Sequence, residues 1–185
     1  MHITTDNINI VDVELIPGLV SYTEHEINNL RGTPKILVAH NNEDVRKFIA
    51  ESLSGEIKGK KLLLGKIGEE LSQRIYDKTN IYLNRYNIEL RSDEIKHTYK
   101  VHGDEMKEAL RGQQAITADD IAQFSKIVYG FDNVLMAKDN SLHFVKDIGG
   151  EVTAVTVYAI GNKSLSLKTM YKKTKNGNSG PATDA

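Results

Sequence analysis

The run NVLMAKDNSLHFVKDIGGEVTAVTVYAIGNKSLSLKTMYKK, residues 133–173, decides the fold class. It contains four β-rich stretches, NVLMAK, SLHFVKD, EVTAVTVYAI and SLSLKTMYKK. Between them stand Asp139-Asn140, Gly149-Gly150 and Gly161-Asn162, each a hairpin turn signal. Strands joined by such short turns make an antiparallel meander.

Upstream of the meander the apolar period changes from two to about 3.6. Val45, Phe48, Ile49 and Leu53 predict a helix over 42–54, capped by Asn41 or Asn42 and closed by Gly55. Ile67, Leu71 and Ile75 predict another over 66–78. Ser92 can cap a third, in which Ile95, Tyr99, His102 and Met106 form a stripe that Leu110 continues, with a break near Gly103. Thr117 and Asp120 form a capping-box pattern, Ile116 and Ile121 are spaced as a staple, and the helix they start runs to about Val128. KILVA (35–39) and Lys61–Leu64 read as short strands, and 1–34 as extended chain. Helices followed by a hairpin-linked sheet predict an α+β fold, with the helices packed on one face of an antiparallel sheet and the other face free for a ligand. We divide the chain into an extension (1–55), a folded domain (56–176) and a polar tail (177–185).

Composition bounds the function. The 185 residues are 39% apolar, or about 47% with the 14 glycines, which suits a globular chain with its own core. Lys plus Arg (24) nearly balances Asp plus Glu (25), which excludes a uniformly basic nucleic-acid coat but not a local basic site. Residues 134–185 hold seven lysines and four acids, a local excess of cations. Cysteine is absent, which removes disulfides and thiol chemistry. No secretory signal pattern opens the chain and no apolar run is long enough for a membrane helix, so a cytoplasmic site of action is expected.

The ionisable groups cluster in two places. EIKHTYKVHGDEMKEALRG (94–112) holds His97, His102 and Arg111. The sheet holds His143, Lys146, Lys168, Thr169, Tyr171, Lys172 and Lys173. His97 and His102, five residues apart, would lie about 140° apart around an unbroken helix, so only a break at Gly103 lets both reach one cleft. His102 lies on the apolar stripe, where a packed histidine is as natural as a catalytic one; His97 lies off it, as an idle surface histidine would. The sheet lysines read by default as solvated side chains. No phosphate loop, dinucleotide fingerprint or zinc-binding His-Glu-x-x-His is present.

LLLGKIGEELSQRIYDKTNI (62–81), DEIKHTYKVHGDE (93–105), LRGQQAITADDI (110–121) and SLSLKTMYKK (164–173) together resemble one family in order and spacing. They look like the phage-associated nuclease domains of the barnase–EndoU–colicin–RelE class, found at the ends of MuF-type phage head-morphogenesis proteins and in polymorphic toxins. The resemblance covers about 60–176. It implies N-terminal helices packed on a four- to five-stranded antiparallel sheet, and a metal-independent ribonuclease toxin needing no cofactor, with RNA as substrate and an immunity protein or antitoxin as partner. In EndoU-like members two histidines, a lysine and a Ser/Thr–Tyr pair do the work. Carried over, the catalytic set is His97, His102, Lys146, Thr169 and Tyr171, with Arg111, Ser166 and Lys168 on the phosphates. Strand phase leaves a choice, because Thr169 and Tyr171 share parity with Leu165 and Leu167. Either a bulge shifts the phase before Thr169 or Ser166 and Lys168 are the functional pair. The same fold could also serve a non-catalytic phage module in head assembly or defence evasion, or a toxin-binding regulator.

Overall fold

A computed structural model of the chain describes residues 19–30, 32–149 and 152–174. The strands are β1 (Leu19–Val20), β2 (Ile36–Val38), β3 (Lys61–Ile67), β4 (Asn87–Arg91), β5 (Gln113–Gln114), β6 (Asn133–Met136), β7 (Ser141–Ile148), β8 (Val152–Gly161) and β9 (Ser164–Thr174). The helices are α1 (Glu24–Leu30), α2 (Asn42–Ser54), α3 (Glu69–Thr79), α4 (Ser92–His102), α5 (Glu105–Leu110), α6 (Ala118–Ala122) and α7 (Phe124–Tyr129). None is long and apolar enough to cross a membrane.

The expected meander is present as β6–β7–β8–β9, every neighbour antiparallel. The sheet around it is larger and more mixed than expected. Nine strands join it, in the order β1-β3-β4-β9-β8-β7-β6, with β2 beside β3 and β5 beside β9. Two pairs are parallel, β2 with β3 and β4 with β9, so the purely antiparallel expectation is corrected. The helices alternate with the first five strands instead of preceding the sheet. Strand β4 went unread because its centre is Glu89, a charged residue in a short run.

Local sequence sets several boundaries as expected. The Asn41 side chain accepts the Asp44 N–H at the start of α2, and Gly55 closes it with φ 86. Thr117 and Asp120 exchange both capping-box hydrogen bonds at α6. Ser92 is a correction: it is the first residue of α4, fully buried, and its Oγ accepts the Lys60 N–H at 3.1 Å. The stripe beyond it is corrected too. Ile95 and His102 are buried, but Tyr99, Met106 and Leu110 are exposed, because α4 stops at Gly103 and α5 starts afresh on an Asp104 cap. The apolar run before Pro17 and the tail from 177 lie outside the described residues.

One core takes the apolar faces of the helices and one face of the sheet. It joins Phe48 and Ile49 of α2, Leu71 and Ile75 of α3, Ile95 of α4 and Phe124 of α7 to Leu142, Phe144, Tyr158, Leu165, Leu167 and Met170 of the meander. Residues 19–55 share this sheet and core, through β1 and β2 on β3 and through α2. On the opposite sheet face Val155, Val157 and Tyr171 form a small separate cluster with Val145. That second face carries the polar side chains considered next.

Candidate active site on the open face of the sheet

The placement of the site rests on one extra residue. Thr169 pairs with Val157, yet Leu167 pairs with Tyr158, so the register shifts and Lys168 is left over as a bulge. Before the bulge Leu165 and Leu167 point to the core and Ser166 to the open face; after it Met170 points to the core and Thr169 and Tyr171 to the open face. The bulge therefore puts both alternatives, Ser166 and the Thr169–Tyr171 pair, on one side. Across the strands His143 pairs with Val157 and Val157 with Thr169, so His143 and Thr169 flank Val157 about 10 Å apart, two strand spacings.

A cavity of about 360 Å³ opens over Val157, lined by Asp139, Ser141, His143, Lys168, Thr169 and Tyr171 among others. A hydrogen-bond chain runs along its wall. Ser141 Oγ donates to Asp139 Oδ1 at 2.5 Å and lies 3.2 Å from His143 Nε2. The serine proton is committed to the carboxylate, so its oxygen can only accept from Nε2–H. That fixes the tautomer and leaves Nδ1 as the nitrogen free to exchange a proton. Lys168 Nζ closes the chain on Asp139 Oδ2 at 3.2 Å. The Ser141 hydroxyl, the Lys168 ammonium and the Ser141 N–H together hold the Asp139 carboxyl down at about 2. Thr169 lines the cavity, and its Oγ1 is buried with no hydrogen-bond partner among the described residues.

A second histidine lies beside Tyr171. His102 is 1% exposed, the last residue of α4, and its ring centre lies 5.6 Å from that of Tyr171. Its Nδ1 is 3.0 Å from Oε2 of the fully buried Glu108, whose Oε1 accepts from Arg111 at 2.8 Å. Its Nε2 is buried and has no hydrogen-bond partner among the described residues. The Lys173 ammonium sits 5.6 Å from the Tyr171 ring centre, so this tyrosine has an imidazole and a cation as neighbours.

Of the sequence-derived candidates, the structure brings Thr169, Tyr171 and Lys168 to one cavity, with His102 beneath Tyr171. Ser166 lies further along the same face, its Oγ donating to Glu89 at 2.8 Å. The other candidates lie outside this cavity. His97 is exposed on α4, outside the cavity lining, because five residues turn it away from His102. Lys146 projects from the core-side face of β7, where its Nζ donates to the Gly130 carbonyl at 2.8 Å. Arg111 binds Glu108 and the Val101 carbonyl, behind His102. His143 belongs to the sheet cluster of ionisable groups in the sequence but not to the catalytic set that the resemblance implies. Its signal was strand alternation: Leu142 and Phe144 mark the core side, which puts Lys146 with them and His143 opposite. Among the described residues no group of three or more potential ligands could hold a metal ion.

A family model described as phage-Barnase-EndoU-ColicinE5/D-RelE like nuclease 3 matches residues 65–179, from within β3 past the end of β9. No curated protein and no solved structure matches the chain. The match spans the bulge, the His143 wall and the α4–α5 histidine element, and it covers well over half of the 185 residues. On that ground the chain belongs to the phage-associated barnase–EndoU–colicin–RelE-like nucleases.

Proposed function

We propose that the chain is an endoribonuclease of toxin type, acting at the cavity over Val157 without a metal. The supporting observation is the meeting of His143, Lys168, Thr169 and Tyr171 on one sheet face within a nuclease family. RNA supplies its own nucleophile. In this reading His143 Nδ1 takes the 2′-hydroxyl proton, the 2′-oxygen bonds to phosphorus, and the bond from phosphorus to the 5′-oxygen breaks. Tyr171 returns a proton to that leaving oxygen. Lys168 and the Thr169 hydroxyl stabilise the charge on the pentacovalent phosphorane. The products are a 2′,3′-cyclic phosphate and a 5′-hydroxyl. His102, sealed behind Tyr171, is a positioning residue here rather than the acid or base that the family resemblance implies.

Total RNA incubated with the full chain, with and without EDTA, tests the reading. Cyclic-phosphate ends in both samples are expected, with His143→Ala slower by about 10²–10⁴-fold. Equal cleavage by His143→Ala, or loss of cleavage with EDTA, defeats it. A cleaving enzyme of this type would damage its own producer, so a cognate immunity protein is the partner we propose, with acidic side chains facing Lys168 and Lys138. The burial of His102 favours a second reading, a non-catalytic phage module of the same fold. That reading expects no RNA cleavage and no toxicity on expression.

A further inference from the structure

Beyond the cavity, the open face continues across β9 and β4 to a second polar assembly. Its centre is Glu89, 1% exposed although charged. Arg91 Nε donates to its Oε2 at 2.9 Å, Ser166 Oγ to the same oxygen at 2.8 Å, and Lys61 Nζ reaches Oε1 at 3.5 Å. The Arg91 Nε also lies 3.4 Å from Ser166 Oγ. One buried carboxylate thus faces two cations, and a positive charge is left over. The Arg91 side chain is 52% exposed and uses only its Nε–H, so its two terminal amino groups have no partner among the described residues. Two more lysines adjoin through the backbone: Lys35 accepts the Lys61 N–H, and Lys60 donates to Ser92 Oγ.

The position of this cluster is set by register. Ser141 pairs with Ala159, Ala159 with Ser166, and Ser166 with Glu89. Ser141 is part of the cavity wall, so Glu89 lies three strand spacings from it, about 14 Å. That is too far for the scissile phosphate and suits a neighbouring one. A guanidinium presents a planar fork that matches a phosphate, and here a buried carboxylate holds it from behind.

We infer that Arg91, aimed by Glu89 and supported by Lys61, is a binding subsite for a backbone phosphate of single-stranded RNA next to the one cleaved at the cavity. This rests on the nuclease reading above, yet its test needs no cleavage. The probe is a short fluorescein-labelled 2′-O-methyl RNA, which lacks the attacking hydroxyl. It is titrated with the full chain by anisotropy between about 50 and 200 mM NaCl. The expected result is a log–log salt slope shallower by about 0.7 in Arg91→Gln, the loss of one phosphate contact on a single strand, with weaker binding across all sequences. In a Glu89→Gln background, where the fork has lost its anchor, Arg91→Gln should change the affinity less than it does in the wild type. Lys78→Gln, a charge removed from the exposed surface of α3, should keep the wild-type slope.

Unchanged slope and affinity in Arg91→Gln overturn the proposal, as does failure of the wild type to bind the probe at low salt. Binding of a polyglutamate peptide in its place would give the patch to a protein partner and overturn it too. If Glu89→Gln unfolds, the half-exposed Arg91 variant carries the result. The two readings fail separately. A slope change without any RNA cleavage removes the nuclease reading alone. Cleavage with an unaltered Arg91→Gln slope removes the subsite alone.

Discussion

The two faces of the meander are made by the same strands and differ residue by residue. On β7, Leu142 and Phe144 are fully buried in the core, while His143 between them is half-buried in the cavity wall. On β9, Leu165, Leu167 and Met170 face the core, while Ser166, Thr169 and Tyr171 face outward. The core face is held by nonspecific burial together with ring contacts such as Phe144 against Tyr158, centres 5.6 Å apart and edge-on. The open face is held by specific hydrogen bonds and ion pairs among Asp139, Ser141, His143 and Lys168. Stability and chemistry are thus assigned to alternate residues, and they should be separable by substitution.

The most severe way to break that division is to insert one residue between Val157 and Tyr158 of β8, which gives Lys168 a partner and abolishes the bulge. Without the bulge, either Leu165 and Leu167 or Thr169 and Tyr171 must face the wrong side. Two buried leucines, at about 1.5–3 kcal/mol each, are then at stake, and the urea unfolding transition should collapse. Next come the neighbours Phe144 and His143. Phe144→Ala should cost about 3–5 kcal/mol in urea unfolding by leaving a cavity. His143→Ala should cost less than about 1 kcal/mol and yet remove most RNA cleavage. Similar stability losses in the two variants would end the comparison.

His102 sharpens it, since its imidazole is on the sealed side of Tyr171. His102→Ala leaves one oxygen of the buried Glu108 unpaired and should cost about 1–3 kcal/mol. A positioning role predicts that the remaining cleavage keeps the wild-type pH profile, with a fall in kcat larger than any rise in KM. A shifted acidic or basic limb would make His102 a proton-transfer group and return it to the cavity. The smallest effect is expected at Asp139. Its carboxyl is held at about 2, below the usual value of about 3.9 in an unfolded chain. Whatever stability its hydrogen bonds supply is therefore complete above about pH 4 and lost as pH falls through about 2. Unfolding midpoints of wild type and Asp139→Asn should differ slightly at neutral pH and converge at the acid end. A difference that persists below about pH 2 would show that the carboxylate charge is not what ties the turn to Lys168.

Much of this architecture was legible because its signals are local. The Asn41 and Gly55 caps of α2 and the Thr117–Asp120 box each act within a few residues and are present where the sequence puts them, and the turn between β8 and β9 falls on Asn162-Lys163, one residue past the expected Gly161-Asn162. The candidate site was legible in part. Thr169, Tyr171 and Lys168 meet in one cavity, but His143 was hidden in an ordinary alternating strand, and Lys146 was placed on the site despite sharing parity with Leu142 and Phe144.

Sequence alone determined the α+β character, the meander and the starts of α2 and α6, since these depend on short-range sterics, hydrogen bonding and periodicity. Only the tertiary structure decided the parallel joining of β4 to β9, the burial of Glu89 and the shift of phase at Lys168. The reason is that each depends on partners distant along the chain. A carboxylate can be buried at Glu89 only when Lys61, Arg91 and Ser166 arrive around it, and a bulge exists only relative to the strand it pairs with.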